Sequence, residues 1–230
     1  MAKRPIFLPK LNGEIGVTIE MVSFTWHSGF AKSQKQKSIE ELHQSASVIG
    51  VAPILEISSK SEAELGVALS AFNLLITTKK YKSSFSVESA FQGSKVFEEG
   101  GPFKDLFSKS AREAKKDQRL KTSGNIVNFE FFGQVFPKDP KTAFYDWLYI
   151  NALSQNLELA NELLTYDAFS DIEFNPEKSI NCQAHSAALY VSLMRSDIDI
   201  TAITSPTEYL TLLQENNFKS SEKSYNYSLM

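Results

Sequence analysis

The sequence predicts an α+β fold, a predominantly helical single domain with a small β-sheet. Three observations carry that prediction. Helix starts are marked repeatedly by Ser or Asp followed by an acidic residue or proline, and the stretches that alternate as strands do are few and short. No internal repeat or low-complexity linker divides the 230 residues, and at 42% hydrophobic they are enough to bury a substantial core over the whole of 1–230.

Taken in chain order, Met1-Ala2-Lys3-Arg4-Pro5 is basic but runs into no apolar h-region, and no 20-residue apolar run follows. Neither a signal peptide nor a membrane span is expected, and a cytoplasmic location is the simplest reading. Val17-Thr18-Ile19-Glu20-Met21 alternates as a half-buried strand, and Pro53-Ile54-Leu55-Glu56-Ile57 gives a second. Ser38 with Glu41, Ser61 with Glu64, and Ser205-Pro206 with Glu208 each fit a capping box, while Asp139-Pro140 offers an N-cap with proline at the first helical position. Lys141 to Leu164 is apolar at helical intervals, with Leu157 to Leu164 a separate or kinked helix after Gln155-Asn156.

Alternation in Asp171-Ile172-Glu173-Phe174-Asn175 puts Asp171, Glu173 and Asn175 on one face and Ile172 and Phe174 on the other, until Pro176 ends the element. Asn181 is placed to cap a helix that buries Ala184, Ala188, Val191 and Met194 and finishes near Arg195. Lys219 to Met230 reads as a loosely held polar tail in which Tyr225 and Tyr227 are the residues able to dock.

A net charge of −3 argues against a protein that coats DNA through bulk electrostatics, yet leaves room for contact with a few phosphates. Arg112, Lys115, Lys116 and Arg119 fall along one side of a helix, and Lys79, Lys80 and Lys82 cluster further back; either group also fits an ordinary solvated surface. A single cysteine excludes an internal disulfide, and three histidines without metal spacing leave little material for zinc. Cys182 has only His185 as a base at helical spacing, which disfavours a thiol nucleophile; His185 is expected to face solvent or a helix neighbour. No glycine-rich phosphate loop or metal motif appears, so neither a metal nor a cofactor is expected.

The segment Ser86-Val-Glu-Ser-Ala-Phe-Gln-Gly-Ser-Lys95 is the most telling. At roughly 100° per residue, Glu88, Gln92 and Lys95 project within an arc of about 60°, with Val87, Ala90, Phe91 and Phe97 covering the other side. Ser86 serves as N-cap and sets Glu88 in the first turn, where the helix dipole favours an acidic side chain. Lys95 lies about 10 Å along the axis from Glu88, too far for a contact pair, with Gln92 between them. The same spacing also describes a solvated polar face, with Lys95 partnered by Glu99.

Immediately before the stripe stands Leu69-Ser70-Ala71-Phe72-Asn73-Leu74. This turn followed by a Val-Glu helix carrying Gln and Lys resembles the NADAR family, the YbiA-like N-glycosidases. More narrowly, the chain is similar to the NADAR antitoxins paired with DarT-type toxins that ADP-ribosylate guanine in DNA. The narrower likeness runs through Gly29-Phe30 with Gln34-Lys35-Gln36-Lys37-Ser38-Ile39, Leu55-Glu56-Ile57-Ser58-Ser59-Lys60-Ser61, Phe144-Tyr145-Asp146-Trp147-Leu148-Tyr149-Ile150, and Asp171 through Ala184. It implies a NADAR-like domain in which residues 1–60 form a subfamily-type N-terminal extension packed on the rest.

The resemblance implies hydrolysis of an N-glycosidic bond at ribose C1, releasing ADP-ribose from guanine in DNA and countering a partner toxin. Lys95 and Glu88 are then the catalytic candidates: a desolvated Lys95 amine to attack C1, and Glu88 to stabilise positive charge or move a proton. Gln92 holds a hydroxyl. Asn73 and Phe72 stand as substrate-edge residues, though Phe72 fits a core position equally. Trp147 is a candidate for stacking on a base or a packed core ring, and Arg119 for a phosphate contact. Asp171 and Glu173 would position water or ribose hydroxyls, or form a solvated edge. The wider family often shows an Asp followed by Trp-Gly in that region. Here the chain reads Ser179-Ile180-Asn181-Cys182-Gln183, which leaves Asn181 and Gln183 as substitutes for the polar contacts. Two rival readings stay open: a small-molecule N-glycosidase of riboflavin-pathway type, and a non-catalytic ADP-ribose binder or antitoxin that acts by direct contact.

Overall fold

A computed structural model describes residues 1–11, 13–78, 82–196, 198, 200, 203 and 205–216. Lys79 and Lys80 of the basic excursion, and the 219–230 tail with Tyr225 and Tyr227, lie outside the described residues. The protein is an α+β fold; among the described residues 42% are helical and 20% strand, so helix outweighs strand as expected. Its residues gather into two compact units: one from Met1–Ser70 and Glu158–Ile198, the other from Ala71–Leu157 and the described part of 199–220.

In the first unit, β1 (Ala2–Pro9) pairs antiparallel along its length with β2 (Val17–Phe24), from Ala2 opposite Phe24 to Pro9 opposite Val17. The next strand in space is β9 (Ala168–Ser170), antiparallel to β1 at Phe7 opposite Phe169, and β3 (Ile54–Glu56) runs parallel to it at the edge, giving the order β2-β1-β9-β3. Both faces of β1 are covered. Ile6 joins Val22, Phe24, Leu42, Ala46 and Ile172 in a core that α1 (Lys32–Val48) completes, while Phe7 on the opposite face meets His185 edge-on at 5.7 Å, from α8 (Gln183–Arg195).

Helix boundaries test the capping argument. Ser38 does not start a helix: α1 begins six residues earlier, after Ala31, and Ser38 lies inside it, its hydroxyl donating to Gln34 O (3.1 Å) and accepting from His27 N (2.9 Å). Ser61 does not cap α2 (Glu64–Ala68) either, where Ala63 is the N-cap. The alternating strand expected over 171–175 is a turn. β9 stops at Ser170, and the Asp171 carboxylate accepts from the N–H groups of Glu173 (3.0 Å) and Phe174 (3.2 Å), a local bond that competes with strand pairing. Asp171 is therefore buried and Glu173 exposed, where it pairs with Lys35 at 3.3 Å; the two carboxylates do not face together. α8 ends at Arg195 as expected, but Cys182 is its N-cap, Met194 is exposed, and His185 is buried.

The second unit carries β4 (Leu75–Thr77) paired with β5 (Ser84–Ser86), which runs directly into α3 (Val87–Gly93), and a three-stranded sheet of β6 (Lys95–Phe97), β7 (Ile126–Phe131) and β8 (Gln134–Pro137). At the tip of the β7-β8 hairpin, Phe132 and Gly133 both have positive φ, the geometry that matches the twist of a hairpin. Phe132 is held there by stacking against Phe85 and Phe107.

An aromatic core packs this sheet on α6 (Ala143–Gln155), with Phe129 stacked on Phe144 at 4.6 Å and Phe136 against Trp147 at 4.9 Å. α6 starts at Ala143, not at Pro140. Residues 140–142 make a turn closed by Ala143 N donating to Pro140 O. It ends where Asn156 turns its amide to Leu75 O and Ala152 O, and α7 (Leu157–Leu163) follows separately, as the sequence predicts. The Ser205-Glu208 capping box of α9 (Pro206–Glu215) is present in full.

Among the described residues no helix is long and apolar enough to cross a membrane.

Candidate functional site

The site grows from the start of α3. Ser86 accepts a hydrogen bond from Ser89 N (3.1 Å) and caps the helix as expected, and the next two N–H groups are also held: Val87 N donates to Leu74 O (3.0 Å) and Glu88 N to Ala71 O (2.8 Å). The Phe72-Asn73 turn is thereby fixed against the helix's first turn. Phe72 is 37% exposed, so it is not a core ring, and Asn73 beside it is exposed too.

Every residue of α3 is buried, the polar ones included, with Glu88 at 5% and Gln92 at 7% exposure. The solvated-face reading of the stripe is excluded. Lys95, however, is not on the helix. α3 closes at Gly93, where any Cβ would come within 2.6 Å of the Phe107 ring, and the chain turns at Ser94 into β6. Lys95 opens that strand opposite Phe129, clamped by Glu130 N donating to Ser94 O (2.8 Å). Gly101, at φ +88°, sits against the Lys95 carbonyl where a side chain would collide.

The side chains still meet. Gln92 Nε2 donates to Glu88 Oε1 (2.9 Å) and Lys95 Nζ donates to Gln92 Oε1 (2.7 Å), so the amide relays between carboxylate and amine. The Lys95 ammonium lies 4.5 Å over the ring of Phe91, itself fixed against Phe129 and Tyr145. Burial is the main force on Lys95, lowering its pKa to about 8; Glu88 opposes the shift and the charge of Lys115 adds to it. An amine in that range is partly neutral near physiological pH and able to act as a nucleophile.

Lys115 is the residue that sequence reasoning placed in a basic stripe but not in the site. It comes from α4 (Ala111–Lys115), and its Nζ stands 3.5 Å from Glu88 Oε1 and 5.2 Å from the centre of the Phe72 ring. The signal available in the sequence was the capping box Ser110-x-x-Glu113, formed in full and fixing where α4 starts. The stripe itself does not exist as one helix face. The turn breaks after Lys116, because Asp117 takes the N–H of Arg119 and starts α5 (Arg119–Thr122). Arg119 is bound by Asp105 through two bonds (3.1 and 2.7 Å) and by Asp117 through its Nε (2.8 Å) and Nη2 (3.0 Å), with its plane 4.4 Å over Phe103. Its fork is occupied by these carboxylates, not turned outward for a phosphate. Trp147 is a core ring, 4% exposed, with its one polar atom donating to Ile203 O (3.2 Å); no face is left for a base.

The first unit holds a second buried polar cluster, of which sequence reasoning named Asp171 and Gln183 but missed Glu56, Ser170 and His43. Glu56, 3% exposed, accepts from Ser170 Oγ (2.5 Å) and Ile172 N (2.9 Å), and Ser170 Oγ also lies 2.8 Å from His43 Nε2. Burial pushes the carboxyl of Glu56 up and that of Asp171 well up, each raised further by neighbouring acidic charge, and lowers His43 to about 4. Gln183 bonds Asp171 and donates to Ile57 O (2.6 Å), while Asn181 lies just before the N-cap Cys182. Burial beside Asp171 pushes the Cys182 thiol well up, in keeping with an inert cysteine. Among the described residues no group of three His, Cys, Asp or Glu is arranged to hold a metal ion.

A family model described as the DarT1-associated NADAR antitoxin matches residues 2–223. The chain belongs to that family. No curated protein matches it. Membership in the antitoxin family points to a DarT-type toxin as the functional counterpart.

Proposed function

We propose that this member of the NADAR-DarT1 family is an N-glycosyl hydrolase that removes ADP-ribose from guanine in DNA, reversing the lesion made by a DarT-type toxin in the cytoplasm. The observation that carries the reading is the Glu88-Gln92-Lys95 relay, which ends in an amine lowered to about 8 on an aromatic floor beside an exposed ring.

In this reading the neutral Lys95 amine attacks C1 of the ribose. Its lone pair forms the new bond while the bond to the guanine nitrogen breaks, and that nitrogen leaves with the electron pair and takes a proton. The ring opens to an imine, and water hydrolyses it to return free Lys95 and ADP-ribose. Glu88 stabilises the positive charge that develops at C1, and Gln92 keeps Lys95 and Glu88 in fixed orientation. Phe72 and Asn73 form the edge that receives the substrate.

Supplying DNA ADP-ribosylated on guanine and following free ADP-ribose tests the activity; wild-type protein that releases none overturns it. Borohydride should trap a covalent adduct that is lost in Lys95→Ala. Turnover without any adduct would replace the imine by direct attack of water. Faster turnover of a free phosphorylated nucleoside than of modified DNA favours the small-molecule alternative. Lys95→Ala and Glu88→Ala that still protect cells from the toxin favour an antitoxin acting by contact.

A further inference from the structure

The relay has an unusual charge count: one carboxylate serves two ammonium groups. Glu88 Oε1 faces Lys115 Nζ directly at 3.5 Å and accepts from Gln92 Nε2 at 2.9 Å, whereas Lys95 reaches Glu88 only through the Gln92 amide. The two lysines differ in surroundings as well. Lys115 keeps 56% of its side chain exposed, beside the Phe72 ring, and Lys95 is mostly covered. α4 holds Lys115 in place through the two-way Ser110-Glu113 cap and the buried Ala111 and Ala114.

We propose that Lys115 is a positioning residue for the nucleophile: by occupying Glu88 it denies that carboxylate to Lys95 and leaves Lys95 as the amine that gives up its proton. The inference rests on the proposed role of Lys95 and adds what sets that role. A cation that cannot be hydrated fully, lying near a second cation and sharing one counter-charge with it, gives up its proton more readily. The charged groups bearing on Lys95 are Glu88 from α3 and Lys115 from α4. On the β7 side its backbone pairs with Phe129, and the following Glu130 turns its carboxylate to Lys104 at 2.9 Å. Removing the Lys115 charge therefore leaves Glu88 as the dominant neighbour and returns Lys95 toward the ammonium form.

Competitive acetylation of the intact protein across neutral and alkaline pH, with the Lys95 peptide quantified by mass spectrometry, reads this directly and needs no substrate. The wild-type midpoint is expected near 8. In Lys115→Met it should rise by about one unit, an approximately tenfold fall in labelling at neutral pH, while Lys115→Arg keeps the wild-type midpoint and serves as the folding control. An unchanged midpoint in Lys115→Met overturns the proposal, and so does an equal rise in Lys115→Arg, which would assign the effect to packing. Release of ADP-ribose from modified DNA, measured on the same proteins, should show its alkaline rise displaced by the same amount in Lys115→Met. Wild-type protein that labels as expected yet releases nothing overturns the hydrolase reading alone and leaves the charge arrangement in place.

Discussion

Two buried polar clusters, each with a glutamate and a glutamine, meet their carboxyls in different ways. In the unit containing α3, the single carboxylate of Glu88 faces Lys115 and reaches Lys95 through Gln92. In the other, Glu56 and Asp171 bring two carboxyls into burial and are met by hydroxyls, backbone N–H groups and a glutamine. The first sets one carboxylate against two amines and opens on an exposed ring and a half-exposed lysine. The second pushes its carboxyls toward the protonated form, because a buried carboxyl without a matched cation is cheaper neutral. Charge balance, more than burial, separates a group poised for chemistry from one that fastens strands.

The sharpest way to break that contrast is to remove one member from each cluster. Lys95→Ala deletes the proposed nucleophile, and release of ADP-ribose from modified DNA should fall by about 10³-fold or more. Its urea midpoint should hardly move, because the lost contacts are one hydrogen bond and one cation over a ring. Substantial residual turnover would show that the amine is not the reacting group.

Glu56→Ala should do the reverse and act on stability. It strands the Ile172 N–H and leaves the Ser170 hydroxyl with His43 as its remaining partner; one buried orphan costs about 1–3 kcal/mol, so a loss of about 2 kcal/mol in urea unfolding is expected. A loss below about 1 kcal/mol would mean that the cluster does not fasten β3 to β9.

His43 adds a pH signature to the same cluster. Its folded pKa of about 4 lies below the ordinary 6.5, so the unfolded chain binds the proton first. The stability it contributes is complete above 6.5 and is lost as pH falls toward 4, about 3 kcal/mol in all. Glu56 works in the opposite direction: its raised pKa gives stability that is present below 4.5 and declines as pH rises above it. Comparing His43→Gln with wild type by urea unfolding between the two His43 values isolates the histidine, and a difference constant with pH would sink this assignment.

Legibility in the sequence divides along similar lines. The Glu88 stripe, the Ser86 cap, the break between α6 and α7 and the Ser205 box were readable, because each rests on neighbours three or four residues apart. Lys95 was expected on the helix with Glu88 and Gln92. A turn at Ser94 moves it from helix to strand, yet its side chain still reaches Gln92. Ser38 and Asp139-Pro140 carry the same local signal as a true cap, and only tertiary partners distinguish them: His27 takes the Ser38 hydroxyl, and residues 140–142 spend the proline on a turn. Glu56, Ser170 and His43 were invisible, being joined across 114 and 127 residues by bonds that no spacing records. Lys115 shows the same limit, since its value lies in Glu88 on another helix.

The smallest expected effect compares two copies of one motif. Ser110 and Ser205 each form a complete capping box, with Glu113 and Glu208 respectively, and each serine-to-alanine change should cost about 1 kcal/mol in urea unfolding. Their functional consequences should differ. α9 carries none of the residues assigned to the site, so Ser205→Ala should leave ADP-ribose release unchanged. α4 has only five residues and ends in Lys115, so fraying its first turn loosens the ammonium that occupies Glu88. Ser110→Ala should therefore move the Lys95 acetylation midpoint part of the way that Lys115→Met does, by a few tenths of a unit. Equal midpoints in the two alanine variants would show that Lys115 is held by Glu88 and Phe72 alone, with the cap contributing stability and nothing to the nucleophile.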